Sequence, residues 1–274
     1  MTVHSAERVD SFVADWEDWH RQLEAWLADP HGFLAITSLH WLNAEPTRFD
    51  DAPGAWFTGP DGVTVRLDGD ETLIVDGEPV TGTYAFGVIP ERGGITAHWG
   101  DVALEVARRG GHDILRPRHP DNPLRVAYRG TPAYPPDPRW VVAGHYEAFE
   151  TPRPTTVGAA VDGLTHVYHA TGRITFELDG EALALTTFPG HRLGTLTALF
   201  TDATSGVTTY GAVRSLSVEA PDADGAVTLD FNRASNLPCA YTDLATCPLP
   251  PAENRLPVAI EAGEKTPYER GARA

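Results

Sequence analysis

The stretch 171-TGRITFEL-178, 179-DG-180, 182-ALALTT-187 decides the fold class of this chain. Ile174, Phe176 and Leu178 alternate with polar residues, so their side chains point to one face of a β-strand. The Asp-Gly dipeptide tolerates the positive φ angles of a tight turn whose twist matches the flanking strands. A second run of strand-forming residues follows the dipeptide. The stretch therefore predicts an antiparallel β-hairpin.

This hairpin pattern recurs through the 274-residue chain. Asp-Gly occurs six times, and Asp76-Gly77 joins Thr72–Val75 to Pro79–Tyr84 in a second predicted hairpin. Strand follows strand with little helix between, which predicts a mainly β protein whose antiparallel sheets form a barrel or a sandwich. The other predicted strands are Thr64–Leu67, Gly94–Trp99, Val102–Ala107, Leu124–Tyr128, Val141–Ala148, Leu196–Phe200, Val213–Val218 and Ala226–Phe231.

The N-terminal segment has a different periodicity. Apolar residues recur at intervals of three and four from Val9 to Leu27, which is the spacing of an amphipathic helix. Pro30 and Gly32 end this helix, and a second short helix is predicted over Phe33–Leu42. We therefore expect one or two N-terminal α-helices packed against the sheets.

The charge balance argues against several classes of partner. The chain has 38 acidic and 21 basic residues, a net charge of −17, which repels nucleic-acid phosphates and anionic membranes at long range. No apolar run reaches the roughly 18 residues of a membrane span, and the first ten residues show no signal-peptide pattern. We expect a soluble cytoplasmic protein that binds neither nucleic acid nor membrane. The sequence leaves open whether the protein forms a homo-oligomer and whether it binds a cofactor.

One region departs from this negative background. Between Ala107 and Trp140, seven arginines outnumber three aspartates by four, and the cluster surrounds His119. Forked guanidinium groups could hold the carboxylate or phosphate of a small ligand. Alternatively, they pair with the surplus carboxylates of the chain. The arginines are Arg108, Arg109, Arg116, Arg118, Arg125, Arg129 and Arg139.

The candidates for catalysis are few. His145 and Glu147 share one face of a predicted strand and could form an acid/base couple, although such a pair is more often a solvated face. Cys239 is a candidate nucleophile, and Cys247 follows it by eight positions. This spacing matches no common zinc pattern, so no metal site is predicted. The default expectation is that Cys239 and Cys247 are buried free thiols, and the alternatives are a redox pair or a shared metal.

The densest polar stretch lies near the end of the chain, between Asp230 and Lys265, where it alternates with prolines. Its side chains either line a ligand pocket or satisfy the backbone groups that a proline-rich segment leaves unpaired. The pocket candidates in this stretch are Asn232, Arg233, Asn236, Tyr241 and Arg255.

The same stretch resembles the bacterial family called domain of unknown function 1684. The resemblance rests on 230-DFNR-233, 238-PCAY-241, 245-ATCPLPP-251, 254-NRL-256 and 262-AGEK-265, with 209-TYG-211 and Arg214 before them. Val213 and Leu237 depart from the family pattern. The resemblance implies a mainly β protein without a settled activity, and it adds Tyr210, Arg214 and Asn254 to the ligand-binding candidates.

These observations predict one β-rich domain with a helical segment 1–45, a sheet body 55–235 and a proline-rich C-terminal strap 236–274. The first hypothesis for its function is binding of a small molecule in a pocket lined by the Asn/Arg/Tyr residues of the C-terminal motif. The alternatives are a hydrolase or lyase with a His/Glu or Cys-centred site, and a non-catalytic structural protein.

Overall fold

The computed structural model describes residues 3–271, with the side chains of residues 10–268 and of Arg270. These residues form three antiparallel sheets and an N-terminal helix, which confirms the predicted mainly β class. Within this described part, each sheet has two edge strands, so none closes into a barrel. The chain divides into two compact units, one of residues 25–129 and one of the described residues up to 24 and from 130 onward. The segment boundaries predicted above stay a prediction.

The unit of residues 25–129 is a sandwich of two sheets. Its strands are β1 (His40–Trp41), β2 (Thr47–Phe49), β3 (Ala52–Gly59), β4 (Gly62–Arg66), β5 (Leu73–Val75), β6 (Glu78–Val80), β7 (Thr83–Gly87), β8 (Gly94–Trp99), β9 (Val102–Arg109) and β10 (His112–Arg118). Six strands pair in the order β1-β10-β9-β8-β5-β6, and four in the order β2-β3-β4-β7. Trp56 and Val65 of the smaller sheet share one apolar core with Leu104 and Val106 of the larger one, so burial of this core holds the two sheets together.

The second unit contains a seven-stranded sheet. Its strands are β11 (Val141–Gly158), β12 (Thr165–Leu178), β13 (Glu181–Pro189), β14 (Leu196–Phe200), β15 (Arg214–Val218), β16 (Ala226–Asp230) and β17 (Ser235–Asn236). They pair in the order β16-β11-β12-β13-β14-β15-β17. The predicted hairpin is confirmed: β12 and β13 meet at Asp179 and Gly180, whose φ angles are 52° and 83°. Its three alternating apolar residues lie in the core.

The long helix α1 (Val3–Leu27) confirms the prediction for the N-terminal segment. Trp16 is buried, and its indole N–H donates to the carbonyl oxygen of Asn232 at 2.7 Å. The side chain of Val9, which opened the predicted apolar stripe, lies outside the described residues. Over the described part of the chain, no helix combines the length and apolar character needed to cross a membrane.

The second helix predicted over Phe33–Leu42 is wrong. Only a single 3₁₀ turn forms, at Phe33–Ala35, and the chain then continues into β1. Three consecutive residues from Leu34 to Ile36 are buried, which one stripe of an α-helix cannot achieve. Pairing with β10 therefore determines the local structure here.

The strand predicted at Leu124–Tyr128 is also wrong. The segment forms the short helix α2 (Pro123–Ala127). The Asn122 side chain caps this helix by accepting the backbone N–H of Leu124, and Pro123 supplies a first-turn residue that needs no donor. These start signals outweigh the apolar pattern of the segment.

Candidate functional site

A cavity of about 300 Å³ lies against strands β8, β9 and β10 in the unit of residues 25–129. Residues directly opposite each other in antiparallel strands point to the same face, and so do residues two apart along one strand. The small side chains at Gly94 and Ala103 leave room on this face for the cavity. One row across the strands contains Thr96 of β8, Glu105 of β9 and Arg116 of β10. The next row contains His98 of β8, Ala103 of β9 and Arg118 of β10.

Glu105 lines this cavity and forms ion pairs with three arginines. Arg116 donates to both of its carboxylate oxygens, at 2.7 and 3.1 Å, and Arg109 donates to one of them at 2.9 Å. Arg118 donates to the other oxygen. Burial by itself raises the pKa of Glu105, but attraction to Arg116 and Arg118 and the hydrogen bonds that they donate outweigh burial and lower it to about 2. The carboxylate is therefore ionised at neutral pH.

Three guanidinium groups thus contact one carboxylate, so arginines outnumber carboxylates in this group. Arg118 lines the cavity. One of its terminal nitrogens donates to the carbonyl oxygen of His31 at 2.9 Å, and its guanidinium carbon lies 5.3 Å from the ring centroid of Phe33. Its Nε is buried and has no hydrogen-bond partner among the described residues. The protein therefore fixes the orientation of Arg118 without using all of its donors.

Two histidines complete the lining of this cavity. His31 Nε2 lies 2.8 Å from the carbonyl oxygen of Asp101, which can only accept, so this nitrogen carries the proton. The rings of His31 and His98 stand edge to face with their centroids 5.9 Å apart. Thr96 and His98 point outward from β8 and are exposed. The cavity therefore offers hydroxyl, imidazole and guanidinium groups to a ligand.

A second cluster of reactive side chains lies in the other unit, around Cys239. Both cysteines are buried and reduced, and the backbone N–H of Cys239 donates to Cys247 Sγ at 3.3 Å. The Cys247 thiol and the Tyr210 hydroxyl form hydrogen bonds to the Cys239 sulfur, and Arg270 lies close enough to attract a thiolate. These contacts outweigh burial and lower the pKa of Cys239. Burial, followed by repulsion from Cys239, raises the pKa of Tyr210 to about 12.

Arg214 and Asn254, two predicted ligand-binding residues, direct their polar groups at the protein itself. Arg214 is 1% exposed, and it donates to Asp202 Oδ2 at 2.5 Å and to the carbonyl oxygens of Ile260 and Ala262. Burial lowers the pKa of Arg214, and Asp202 partly reverses this change. Asn254 is fully buried and bonds to main-chain groups of β13 and β14. Both side chains therefore hold the C-terminal strap on the sheet.

Asn232 and Asn236 have similar surroundings. Asn232 exchanges hydrogen bonds with the main chain of Asp137, at 2.9 and 3.0 Å. The Asn236 amide donates to the carbonyl oxygen of Lys265 at 2.8 Å. Tyr241 is buried, with its hydroxyl 2.9 Å from that of Thr131. The structure thus distributes these predicted ligand-binding residues among separate internal contacts.

The remaining predicted site residues lie nearer the surface. Arg233 is half-buried, pairs with Asp230 and lies over the ring of Trp19. Arg255 is exposed, and its backbone forms an isolated parallel β-bridge with Thr201.

The acid/base couple suggested by the sequence lies on a solvated strand face. His145 and Glu147 are both exposed on β11. They lie opposite Thr175 and Arg173 of β12.

A family model described as "Protein of unknown function (DUF1684)" matches residues 126–265, just over half of the chain. The chain belongs to the DUF1684 family. No curated protein matches the chain. Among solved structures, the chain is similar to the solution NMR structure of an uncharacterized protein from Haloarcula marismortui, with 36% identity over 52% of this chain and 79% of that chain and a TM-score of 0.44.

The DUF1684 match contains both cysteines and most of the strap, whereas the cavity residues, from His31 to Arg118, precede it. Sequence reasoning missed Glu105, His31 and His98 as site residues. The signal for Glu105 was available, because one acidic residue interrupts the apolar run of β9. Such a charge needs compensation once both faces of the strand are covered.

Sequence reasoning also missed a contact between His20 and Glu264 within the unit formed by the described residues up to 24 and from 130 onward. Glu264 is 2% exposed, and its Oε2 accepts the backbone N–H of Asn236 at 2.6 Å. Its Oε1 lies 3.7 Å from His20 Nε2, and neither atom has a hydrogen-bond partner among the described residues. Glu264 lies in the recognised AGEK motif, whereas nothing in the sequence connects the motif with His20.

Proposed function

We propose that this protein binds a small anionic molecule, a carboxylate or a phosphate, in the cavity beside Glu105. The observation that carries this proposal is Arg118, one of the three arginines around Glu105, which lines the cavity with a buried Nε that has no hydrogen-bond partner among the described residues. In a chain of net charge −17, a cluster in which arginines outnumber carboxylates attracts small anions locally. Forked guanidinium groups match the planar oxygens of carboxylate and phosphate.

The size of the cavity limits the ligand. A volume of about 300 Å³ is at the lower end of the range for small-molecule sites, about 300–1,000 Å³. The occupant is therefore a small metabolite with one or two anionic groups rather than a polymer, which agrees with the repulsion of nucleic acid by the overall charge.

The cavity is organised before the ligand arrives. Contacts with His31 and Phe33 fix the position of Arg118, and its bond to Glu105 holds the guanidinium plane. Because these side chains lose little freedom on binding, less of the interaction energy is spent on ordering them. Thr96 and His98 add a hydroxyl and an imidazole from the exposed side of β8.

A ligand pocket lined by the C-terminal motif stays a prediction. The cytoplasmic location and the formation of a homo-oligomer also stay predictions. The contacts of Arg214 and Asn254 favour the structural alternative for that motif, because both side chains stabilise the strap. A hydrolase or lyase based on His145 and Glu147 has less support, since both residues lie on an exposed strand face.

Isothermal titration calorimetry at low ionic strength tests the proposal, with inorganic phosphate and succinate as probes. We expect saturable binding of at least one probe by the full chain. Arg118→Gln removes a charged donor, and a hydrogen bond to a charged group contributes roughly 1.5–3 kcal/mol, so the affinity falls by about tenfold or more. His98→Ala truncates an exposed side chain that the fold does not need, and it weakens binding severalfold.

Arg192→Gln is the matched control. Arg192 is 71% exposed and pairs with Glu219 in the other unit, so its replacement removes one positive charge without touching the cavity. Affinity equal to that of the unsubstituted protein is expected for this variant. Absence of binding for both probes, or equal losses for Arg192→Gln and Arg118→Gln, would contradict the proposed site.

A further inference from the structure

The two cysteines form a pair through the path of the C-terminal strap. Cys239 lies on a single 3₁₀ turn, Pro238–Ala240, directly after β17. The chain then returns so that Cys247 Sγ accepts the backbone N–H of Cys239 at 3.3 Å. A hydrogen bond also joins the two side chains. Two thiols joined by a hydrogen bond lie close enough for their sulfurs to react with each other.

The surroundings of Cys239 stabilise a thiolate. The Cys247 thiol and the Tyr210 hydroxyl donate to its sulfur, and the positive charge of Arg270 lies nearby. Arg270 is held there because it donates to the carbonyl oxygen of Cys239 at 2.7 Å and pairs with Asp243. Together these contacts lower the pKa of Cys239. Tyr210, whose pKa is raised to about 12, keeps its proton at neutral pH and remains a donor.

Burial limits which oxidants can reach this pair. Cys239 is 1% exposed and Cys247 is 7% exposed, and the half-buried Tyr210 packs against the cluster that contains them. A protein disulfide or a glutathione-sized disulfide must align its own sulfurs with the attacking thiolate, which needs an open approach. Hydrogen peroxide is only slightly larger than water and needs no such approach.

We propose that Cys239 and Cys247 form a reversible dithiol site that is oxidised by hydrogen peroxide. This site is separate from the anion cavity and does not depend on it. The Cys239 thiolate attacks one peroxide oxygen, so that an S–O bond forms, the O–O bond breaks, and hydroxide leaves and takes up a proton to give water. Cys247 Sγ then attacks the sulfenic sulfur, forming the S–S bond, and the second oxygen leaves as water after taking up the Cys247 proton. Two thiols lose two electrons, and one peroxide becomes two waters.

The chain is suited to a direct test with mass spectrometry. Trypsin cleaves after Arg233 and Arg255 and nowhere between them, so the single peptide 234–255 carries both of the chain's two cysteines. Reduced full-length protein is treated with hydrogen peroxide without denaturant, alkylated and digested. We expect this peptide to lose two hydrogen atoms and to take up no alkylating agent, and dithiothreitol to restore both thiols. Oxidised glutathione is expected to leave the peptide reduced over the same period.

Two variants assign the roles of the side chains. In Cys247→Ser the reaction stops at the Cys239 sulfenic acid, which dimedone traps, whereas Cys239→Ser gives little dimedone adduct. Tyr210→Phe removes one donor to the thiolate, so we expect the peroxide reaction to slow severalfold while the urea unfolding midpoint changes little. Tyr210 is thus a positioning residue.

Three results would overturn the proposal. The first is a peptide 234–255 that stays reduced while free glutathione in the same solution is oxidised. The second is a disulfide that forms only after denaturation in urea. The third is oxidation by oxidised glutathione at the rate found with peroxide. The test on the unsubstituted chain needs no variant, so it remains valid if a serine replacement prevents folding.

Discussion

Replacing Glu105 by glutamine perturbs the charge centre of the cavity while the shape of the side chain is kept. Glu105 is 9% exposed and accepts hydrogen bonds from Arg109, Arg116 and Arg118. Glutamine offers one acceptor oxygen in place of two and carries no charge. The three guanidinium groups then lie close together without compensation. We expect the variant to fold with a lower free energy of unfolding.

The pKa of Glu105 sets the size of this effect. The pKa falls from 4.5 to about 2 on folding, and each unit corresponds to about 1.4 kcal/mol, so the ionised carboxylate contributes about 3 kcal/mol at neutral pH. Removal of one partner from a buried ion pair generally costs about 3–5 kcal/mol, and the contribution of about 3 kcal/mol from the pKa agrees with this range. Because the folded-state pKa is lowered, this contribution is complete above about pH 4.5 and disappears as the pH falls through about 2.

Urea unfolding at two pH values measures the effect without adding salt that screens charges. At neutral pH the free energy of unfolding of Glu105→Gln should lie about 3 kcal/mol below that of the unsubstituted protein. Near about pH 3 the gap should shrink to about 1 kcal/mol, because the Glu105 carboxylate is then mostly protonated in the unfolded chain while it is still mostly ionised in the folded protein. Glu219→Gln is the control: Glu219 is 79% exposed, and its exposed ion pair contributes about 0–1 kcal/mol.

Two results would refute this reasoning. Equal stability of Glu105→Gln and the unsubstituted protein at neutral pH would show that the carboxylate does not compensate the arginines. A gap that keeps its size near about pH 3 would assign the loss to packing rather than to charge.

Two further predictions concern binding and the strap. Glu105→Gln raises the positive charge at the cavity wall, so its affinity for inorganic phosphate should increase in calorimetry, and a decrease would contradict the charge argument. Asn254→Ala leaves main-chain groups of Thr186 and Leu199 without their partner, which should lower the free energy of unfolding in urea by about 3 kcal/mol or more. Asn43→Ala, at an exposed turn, should change it by less than about 0.5 kcal/mol, and equal losses for the two variants would remove the structural role of Asn254.

Local signals in the sequence were sufficient for the hairpin of β12 and β13. Asp179 and Gly180 adopt the positive φ angles that their dipeptide favours, and the alternation of β12 places its apolar residues in the core. The turn conformation and the strand alternation each depend on residues only a few positions apart in the sequence. The error at Leu124–Tyr128 was also local, because Asn122 and Pro123 carried a helix start signal that the apolar pattern masked.

The cavity was beyond such reasoning because it depends on strand register. The arginine cluster was visible, and the pairing interpretation holds for Arg116 and Arg118, which pair with the carboxylate of Glu105. The ligand-binding interpretation stays a prediction. Nothing local shows that Glu105 of β9 lies opposite Arg116 of β10, or that His31 lies beside His98. A one-residue shift in register would send these side chains to the other face of the sheet.

The same limit applies to the C-terminal motif. The sequence indicated that its residues form directed hydrogen bonds, but it could not show whether those bonds reach a ligand or the protein's own main chain. For Arg214 and Asn254 they reach the main chain of distant segments. For Cys239, the contact with Tyr210 joins side chains that belong to separate segments of the sequence.

The most direct measurement for the anion site is the anomalous diffraction of crystals grown with tungstate, a phosphate-like anion that scatters strongly. We predict one dominant anomalous peak in the cavity of the 25–129 unit, within hydrogen-bond distance of the Arg118 guanidinium and near His98. An empty cavity, with peaks only at exposed arginines such as Arg192, would contradict the account.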